Sequence, residues 1–210
     1  MKKFLIADDH AIVRKGIRQI LIEEFPFAEV EEVEDAEELI KKSMSGDWDV
    51  IISDLSMPGR SGLDALVQIK QLHPDIPVLI MSMHPEEQYA IRVLKAGASG
   101  YLSKDMAQTE LINAVNIVFN GKRYISASLA EQLAGQLDKD SSIQLPHESL
   151  SVREFEVLKH LAVGVSVSEI ASNLTLSITT VSTYRSRILN KMNMKTNADL
   201  TLYCITQKLI

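Results

Sequence analysis

The stretch Val50-Ile51-Ile52-Ser53-Asp54-Leu55-Ser56-Met57-Pro58-Gly59-Arg60-Ser61-Gly62 sets a continuous apolar run against a carboxylate and then a turn. Apolar residues at successive positions are the pattern of a strand buried on both faces of a parallel sheet. Asp54 then ends the strand, and Pro58 and Gly62 shape the turn that opens a helix. Phe4-Leu5-Ile6-Ala7 and Val78-Leu79-Ile80-Met81 repeat the apolar pattern, and residues 29–33 and 100–102 are shorter candidates. Between them Ile12/Ile17/Ile20/Leu21, Leu39/Ile40, Leu63/Leu66/Ile69/Leu72, Ala90/Val93/Leu94 and Leu111/Ile112/Val115/Val118 recur at helical spacing, as buried helix faces do. Five successive β–α units predict an open, doubly wound α/β domain over about the first 120 residues.

In such a sheet, ligands sit outside the carboxyl ends of the strands. Asp8 and Asp9 follow the first strand, Asp54 ends the third, Ser82 ends the fourth, and Lys104 comes shortly after the fifth. Three carboxylates, a hydroxyl and an ammonium therefore converge on one rim. Crowding carboxylates is electrostatically costly, and a few oxygen ligands with retained waters suit Mg²⁺. A divalent ion beside an aspartate, faced by a lysine, would hold a phosphoryl donor in line and neutralise charge as the group transfers.

After Gly121 the regularity breaks. Residues 128–137 predict one short helix, and the polar run 138–146 reads as an exposed linker. From Leu150 onward the apolar period is helical: Phe155/Leu158/Leu161, Ile170/Ala171/Leu174, Val181/Tyr184/Ile188/Met192 and Leu200/Tyr203/Cys204 predict a small four-helix module. Ser151 with Glu154 resembles a capping box, and Ser177 is placed to cap the module's third helix. Charge divides along the same line. Residues 1–148 hold 15 Lys+Arg and 24 Asp+Glu, net −9, whereas residues 149–210 hold 7 and 4, net +3. An acidic front and a basic back point to two different tasks.

With 210 residues, 46% of them hydrophobic and 24% charged, both parts can bury a core, which excludes wholesale disorder. No apolar run approaches the roughly 18 residues needed to span a bilayer, so no membrane partner is expected. The single cysteine, Cys204, cannot form an internal disulfide, and a reducing cytoplasm is the expected setting.

Asp8-Asp9, Asp54 within SDLSMPGRSG, Ser82, and Lys104 within GYLSKD, in this order and spacing, resemble the receiver domain of two-component response regulators. The resemblance implies a flavodoxin-like fold with Asp54 as phosphoacceptor. It further implies that Asp8, Asp9, Asp54 and the main-chain carbonyl of Ser56 support Mg²⁺, and that Lys104 contacts the phosphoryl group. Ser82 would be the switch hydroxyl and Tyr101 the aromatic that turns inward with it. Ser56 and His84 occupy the positions that in the family flank the attacking water, so they are expected to set the lifetime of the aspartyl phosphate. Asp105 stands where many receivers have proline, which removes an expected cis peptide.

Residues 150–210 resemble the LuxR-type helix-turn-helix of NarL/FixJ-type regulators. Residues 167–174 would be the supporting helix, Thr175-Leu176-Ser177 the turn, and residues 178–192 the recognition helix. Its outward face offers Arg187, Lys191 and, just beyond, Lys195 for phosphates, and Ser182, Thr183, Arg185 and Ser186 for the groove. The expected organisation is a receiver over 1–121, a linker with a short helix over 122–148, and the helix-turn-helix over 149–210. The expected function is a DNA-binding transcription regulator rather than an enzyme. A sensor histidine kinase would phosphorylate it on Asp54, and the active form would bind double-stranded DNA as a homodimer. Two alternatives stand beside this reading: a phosphorylation-independent interaction module, and a phosphatase of the haloacid-dehalogenase kind. The latter normally carries a second aspartate where this chain has Ser56.

Overall fold

A computed structural model of the protein describes residues 1–138 and 145–210. Contacts divide the chain into two units, Met1–Asp138 and Lys139–Ile210. In the first, β1 (Lys3–Ala7), α1 (Ala11–Glu24), β2 (Glu29–Val33), α2 (Ala36–Ser45), β3 (Val50–Asp54), α3 (Gly62–Leu72), β4 (Val78–Ser82), α4 (Glu86–Lys95), β5 (Gly100–Ser103) and α5 (Ala107–Phe119) alternate as the apolar runs predict. The strands form one parallel sheet in the order β2-β1-β3-β4-β5. Phe4, Ile6, Ile52, Leu79, Met81 and Leu102 pack on one face with Ile17 and Leu21 of α1 and Leu111, Val115 and Val118 of α5. The alternate residues Leu5, Ile51 and Ile80 are equally buried. Burial on both faces is why these strands read as unbroken apolar runs.

Two residues assigned to buried helix faces lie outside. Ile12 is 83% exposed. It sits five positions from Ile17, roughly 140° round the helix, whereas Val13, one turn before Ile17, packs against the core instead. Leu72, the last residue of α3, is 48% exposed.

The segment after α5 also differs from the expected linker. The Tyr124 N–H donates to the Ser99 carbonyl at 2.8 Å and its side chain is buried, so the chain pairs with the start of β5. A Cβ on Gly100 would stand 2.9 Å from Tyr124 Cβ, and only glycine permits this approach. Helix α6 (Ala127–Asp138) follows, its Leu129 buried and its Gln132 Nε2 donating to the Glu87 carbonyl of α4 at 3.0 Å. Residues 122–138 therefore belong to the first unit. Of the expected linker, residues 139–144 lie outside the described residues.

The second unit holds α7 (Val152–Ala162), α8 (Val167–Asn173), α9 (Ile178–Lys191) and α10 (Asn197–Thr206), after a short 3₁₀ turn at Pro146–Ser149. Each of the four helices starts on a hydroxyl, from Ser151, Ser166, Ser177 and Thr196. Three of them form full capping boxes, with Glu154, Glu169 and Asp199. Reciprocal caps of this kind stabilise helices too short to persist alone. Phe155, Leu158, Ile170, Val181, Ile188, Leu200 and Cys204 make the core. Among the described residues there is no cis peptide bond, and no helix is long and apolar enough to cross a membrane.

The turn from α8 to α9 places Thr175 at φ 52°. A β-branched residue in the left-handed region is strained, whereas asparagine tolerates it. Thr175→Asn is expected to stabilise the protein by about 1 kcal/mol in urea or thermal unfolding. An unchanged or lower midpoint would show that the turn carries no such strain.

Candidate functional site

Strand order builds the site. The chain leaves β1 for β2 at the edge and then crosses back to β3, so β1 and β3 lie side by side with Ala7 opposite Ser53. The residues that follow, Asp8 and Asp54, therefore emerge together. Asp54 pairs with Met81 and Ser82 with Ser103, which brings the ends of β4 and β5 to the same rim. Lys104 Nζ lies 2.7 Å from Asp8 Oδ2 and 2.8 Å from Asp54 Oδ2. Asp8, Asp54 and Ser82 are buried. Asp8, Asp54 and Lys104 thus meet, and Ser82 ends β4 on the same rim.

Burial, the largest influence, pushes the Asp54 carboxyl above its ordinary range. The Lys104 bond and charge pull it back, the Asp8 charge pushes it further up, and the Ser56 N–H draws it slightly down, leaving it raised. Burial pulls the Lys104 ammonium the other way, but its bonds to Asp54 and Asp8 outweigh this and hold it above its usual value. The lysine is therefore a fixed positive charge facing the carboxylates.

Asp8, Asp9, His10 and Asp54 offer ligand atoms within 4.8 Å of one another. Asp8 Oδ2 is buried and, although ion-paired with Lys104, has no hydrogen bond of good geometry. Hard carboxylate oxygens of this kind fit a small divalent cation. His10 is absent from the sequence-derived set. Its main-chain N–H donates to Asp8 Oδ1 at 2.8 Å, and its Nδ1 lies 2.8 Å from Asp9 Oδ1. Its place directly after Asp8-Asp9 was the available signal. Gly62 is the other omission, because a Cβ there would stand 1.8 Å from the Asp54 carbonyl oxygen.

Above the pocket, Ser56 Oγ and His84 Nε2 are 3.0 Å apart, and the Ser56 N–H donates to Asp54 Oδ1 at 3.3 Å. The His84 N–H donates to Ser82 Oγ at 3.1 Å, and Tyr101 OH donates to the His84 carbonyl at 2.7 Å. Tyr101 is already turned inward, 1% exposed. Burial pushes its phenol up to about 12, so it stays protonated and donates.

In the second unit Ser182, Thr183, Ser186, Arg187 and Lys195 are exposed, the first four on α9. Thr183 Oγ1 donates back to the Thr179 carbonyl at 2.9 Å, which leaves its oxygen as an acceptor. Two members of the expected DNA-contacting set already have protein partners. Arg185 Nε donates to Asn197 Oδ1 of α10 at 2.8 Å. Lys191 Nζ lies 2.7 Å from Glu154 Oε2, the carboxylate of the α7 capping box. Burial works to raise Glu154, yet Lys191 and the Ser151 N–H outweigh it and hold the carboxyl below its ordinary value. Lys191 thus ties α9 to α7, a partner 37 residues away that helical periodicity does not reveal.

Residues 4–116 match the response regulator receiver domain, and residues 148–204 match the bacterial regulatory proteins of the luxR family. The response regulator UvrY of Escherichia coli K12 is 36% identical over 201 residues, covering 96% of this chain and 92% of its own. The oxygen regulatory protein NreC of Staphylococcus carnosus is 38% identical, covering 99% of both chains. Among solved structures, RcsB from Salmonella enterica serovar Typhimurium, bound to promoter rprA with the phosphomimetic BeF₃⁻, aligns with TM-score 0.65 and 31% identity. That alignment covers 97% of this chain and 98% of RcsB.

The raised Asp54 carboxyl fixes a sign. A group that binds its proton more tightly when folded favours the fold at low pH, and loses that contribution as pH rises through the folded value. At pH 7 the ionised Asp54 is therefore a cost to stability. In divalent-free buffer Asp54→Asn is expected to melt above wild type at pH 7, with the gap closing below the ordinary carboxylate range. Melting temperatures across pH check this, and a gap that widens on acidification contradicts it.

Proposed function

The chain belongs to the response regulators that join a receiver domain to a LuxR-type helix-turn-helix, and on that premise we propose a transcription regulator switched by phosphorylation of Asp54. The carrying observation is Lys104 Nζ within 2.8 Å of both Asp8 and Asp54 at the ends of neighbouring strands. A sensor histidine kinase on another chain supplies the phosphoryl group. An Asp54 oxygen attacks phosphorus, and the bond to the donor nitrogen breaks. The Lys104 ammonium meets the charge on the arriving phosphoryl oxygens. Asp8, Asp9, Asp54 and the Ser56 carbonyl would hold Mg²⁺, which supplies further charge neutralisation. No turnover of a separate substrate is involved, so the receiver's chemistry stops at its own phosphorylation and dephosphorylation.

Ser82 and Tyr101 carry the response. In the described state the Ser82 hydroxyl oxygen accepts from the His84 N–H. A phosphoryl group on Asp54 draws that hydroxyl toward itself, frees the His84 main chain, and so shifts the strand-to-helix turn that Tyr101 holds from below. The His84 ring and Ser56 Oγ, 3.0 Å apart beside Asp54, are the groups that govern water's approach to the acyl phosphate in this reading.

The output is DNA binding in the cytoplasm, as a homodimer when active. RcsB, similar along nearly its whole length, is seen on a promoter with a phosphomimetic. In this chain Ser182, Thr183 and Ser186 face the groove, and Arg187 and Lys195 meet phosphates. Arg185 and Lys191 add to these with the donors that their contacts to Asn197 and Glu154 leave over.

Two measurements test the reading. Beryllofluoride with Mg²⁺ is expected to tighten DNA binding about tenfold in wild type and not in Asp54→Ala, at one stated salt concentration. Equal binding by both, with and without the mimic, would favour an interaction module independent of phosphorylation. Ser56→Ala and His84→Ala are expected to change the decay rate of the aspartyl phosphate several-fold without preventing its formation; decay at the wild-type rate would remove these two side chains from that role.

A further inference from the structure

Arg14, on α1, is only 6% exposed, and nothing in the phosphoryl chemistry above uses it. Its Nη1 donates to the Asp8 carbonyl at 2.6 Å and its Nη2 to Glu34 Oε1 at 2.6 Å. Its Nε, 3.6 Å from Glu32 Oε2, makes no hydrogen bond. The last ladder pair of β1 and β2 is Ala7 with Val33, and the Asp8 N–H still donates to the Val33 carbonyl at 3.3 Å. The Asp8 carbonyl lies past that ladder, and a buried carbonyl there needs a donor. Arg14 supplies it. The Asp8 main chain is thus gripped from both sides at the point where its carboxylate enters the pocket.

Arg18, one turn further along α1, separates this role from simple stapling. Its Nη1 donates to the Val30 carbonyl at 2.6 Å and its Nε lies 3.8 Å from the same Glu32. It fastens α1 to β2 in the same manner but three residues short of the end of that strand. We infer that Arg14 is a positioning residue for the phosphoryl-transfer site: its bond to the Asp8 carbonyl holds Asp8 and Asp9 where they can share a divalent cation. The inference rests on the reading of that pocket as a cation site.

Mn²⁺ binding to the full chain, followed by paramagnetic resonance of the free ion well below the melting temperature, tests it. Arg14→Met is expected to weaken Mn²⁺ binding about tenfold, the scale of a lost outer-shell contact, while Arg18→Met lowers the melting temperature and leaves affinity unchanged. Arg14→Lys keeps a donor for the Asp8 carbonyl but loses the fork that also holds Glu34, so it is expected to lose stability and retain affinity. Wild-type affinity in a folded Arg14→Met, or an equal loss in Arg18→Met, overturns the inference. If Arg14→Met does not fold, a tenfold loss in folded Arg14→Lys overturns it. A wild type that binds no Mn²⁺ overturns the cation-site reading and this inference with it.

Discussion

The Lys104 ammonium held between Asp8 and Asp54 is the interaction around which the first unit is arranged. Parallel strands bring carboxyl ends together, and the order β2-β1-β3 makes those of β1 and β3 neighbours. Carboxylates placed there repel one another and lose hydration, which is visible in the raised Asp54 carboxyl. One buried cation offsets that cost for two of them. Its fixed charge comes from the end of β5, two strands away from β3, so the pocket exists only when the sheet has closed from β1 to β5.

The second unit handles charge differently. Its helices are short, and hydroxyl caps and carboxylates secure their starts. Glu154 serves twice, accepting from the Ser151 N–H and pairing with Lys191. Part of the basic surplus of α9 is thereby spent on holding the recognition helix against α7. The exposed face of α9 is otherwise rich in hydroxyls, with Arg187 and the paired Lys191 as exposed cations. Hydroxyls accept and donate at many base edges, whereas a bidentate arginine is the commonest specific contact to guanine.

The strand-end carboxylates were legible because each follows an unbroken apolar run, and the run announces both the strand and the place where it stops. The helix-turn-helix was legible from its 3.6-residue period and its caps. Features fixed by partners distant in sequence were not. Lys191 looks like any exposed lysine on a basic helix until α7 is packed beside it. Gly62 reads as a helix opener, and only the Asp54 carbonyl lying within 1.8 Å of its missing Cβ shows why no side chain fits. Arg14 sits among apolar neighbours on α1 and declares itself only by the carbonyl it reaches. The short helix over residues 128–137 was legible, but its place was not: it reads as part of a linker over 122–148, yet Tyr124 and Leu129 anchor residues 122–138 to the first unit.

That last anchor bears on how a local event at Asp54 could be felt elsewhere. His84 is the meeting point: its N–H goes to Ser82, its carbonyl takes the Tyr101 hydroxyl, its Nε2 faces Ser56, and its ring stacks on Tyr89 of α4 at 4.5 Å. These contacts tie the turn after β4 to β4 itself, to β5, to Ser56 and to α4. Tyr89 is fully buried, so the ring that His84 stacks on is part of the packing that holds α4 against the sheet. Helix α6 is hydrogen-bonded to α4 through Gln132 and tied to β5 through Tyr124. These contacts run without a break from the Asp54 pocket through His84 and α4 to α6. A shift of α4 against β5 must also be accommodated by α6, the last element of the first unit before the chain continues toward the helix-turn-helix.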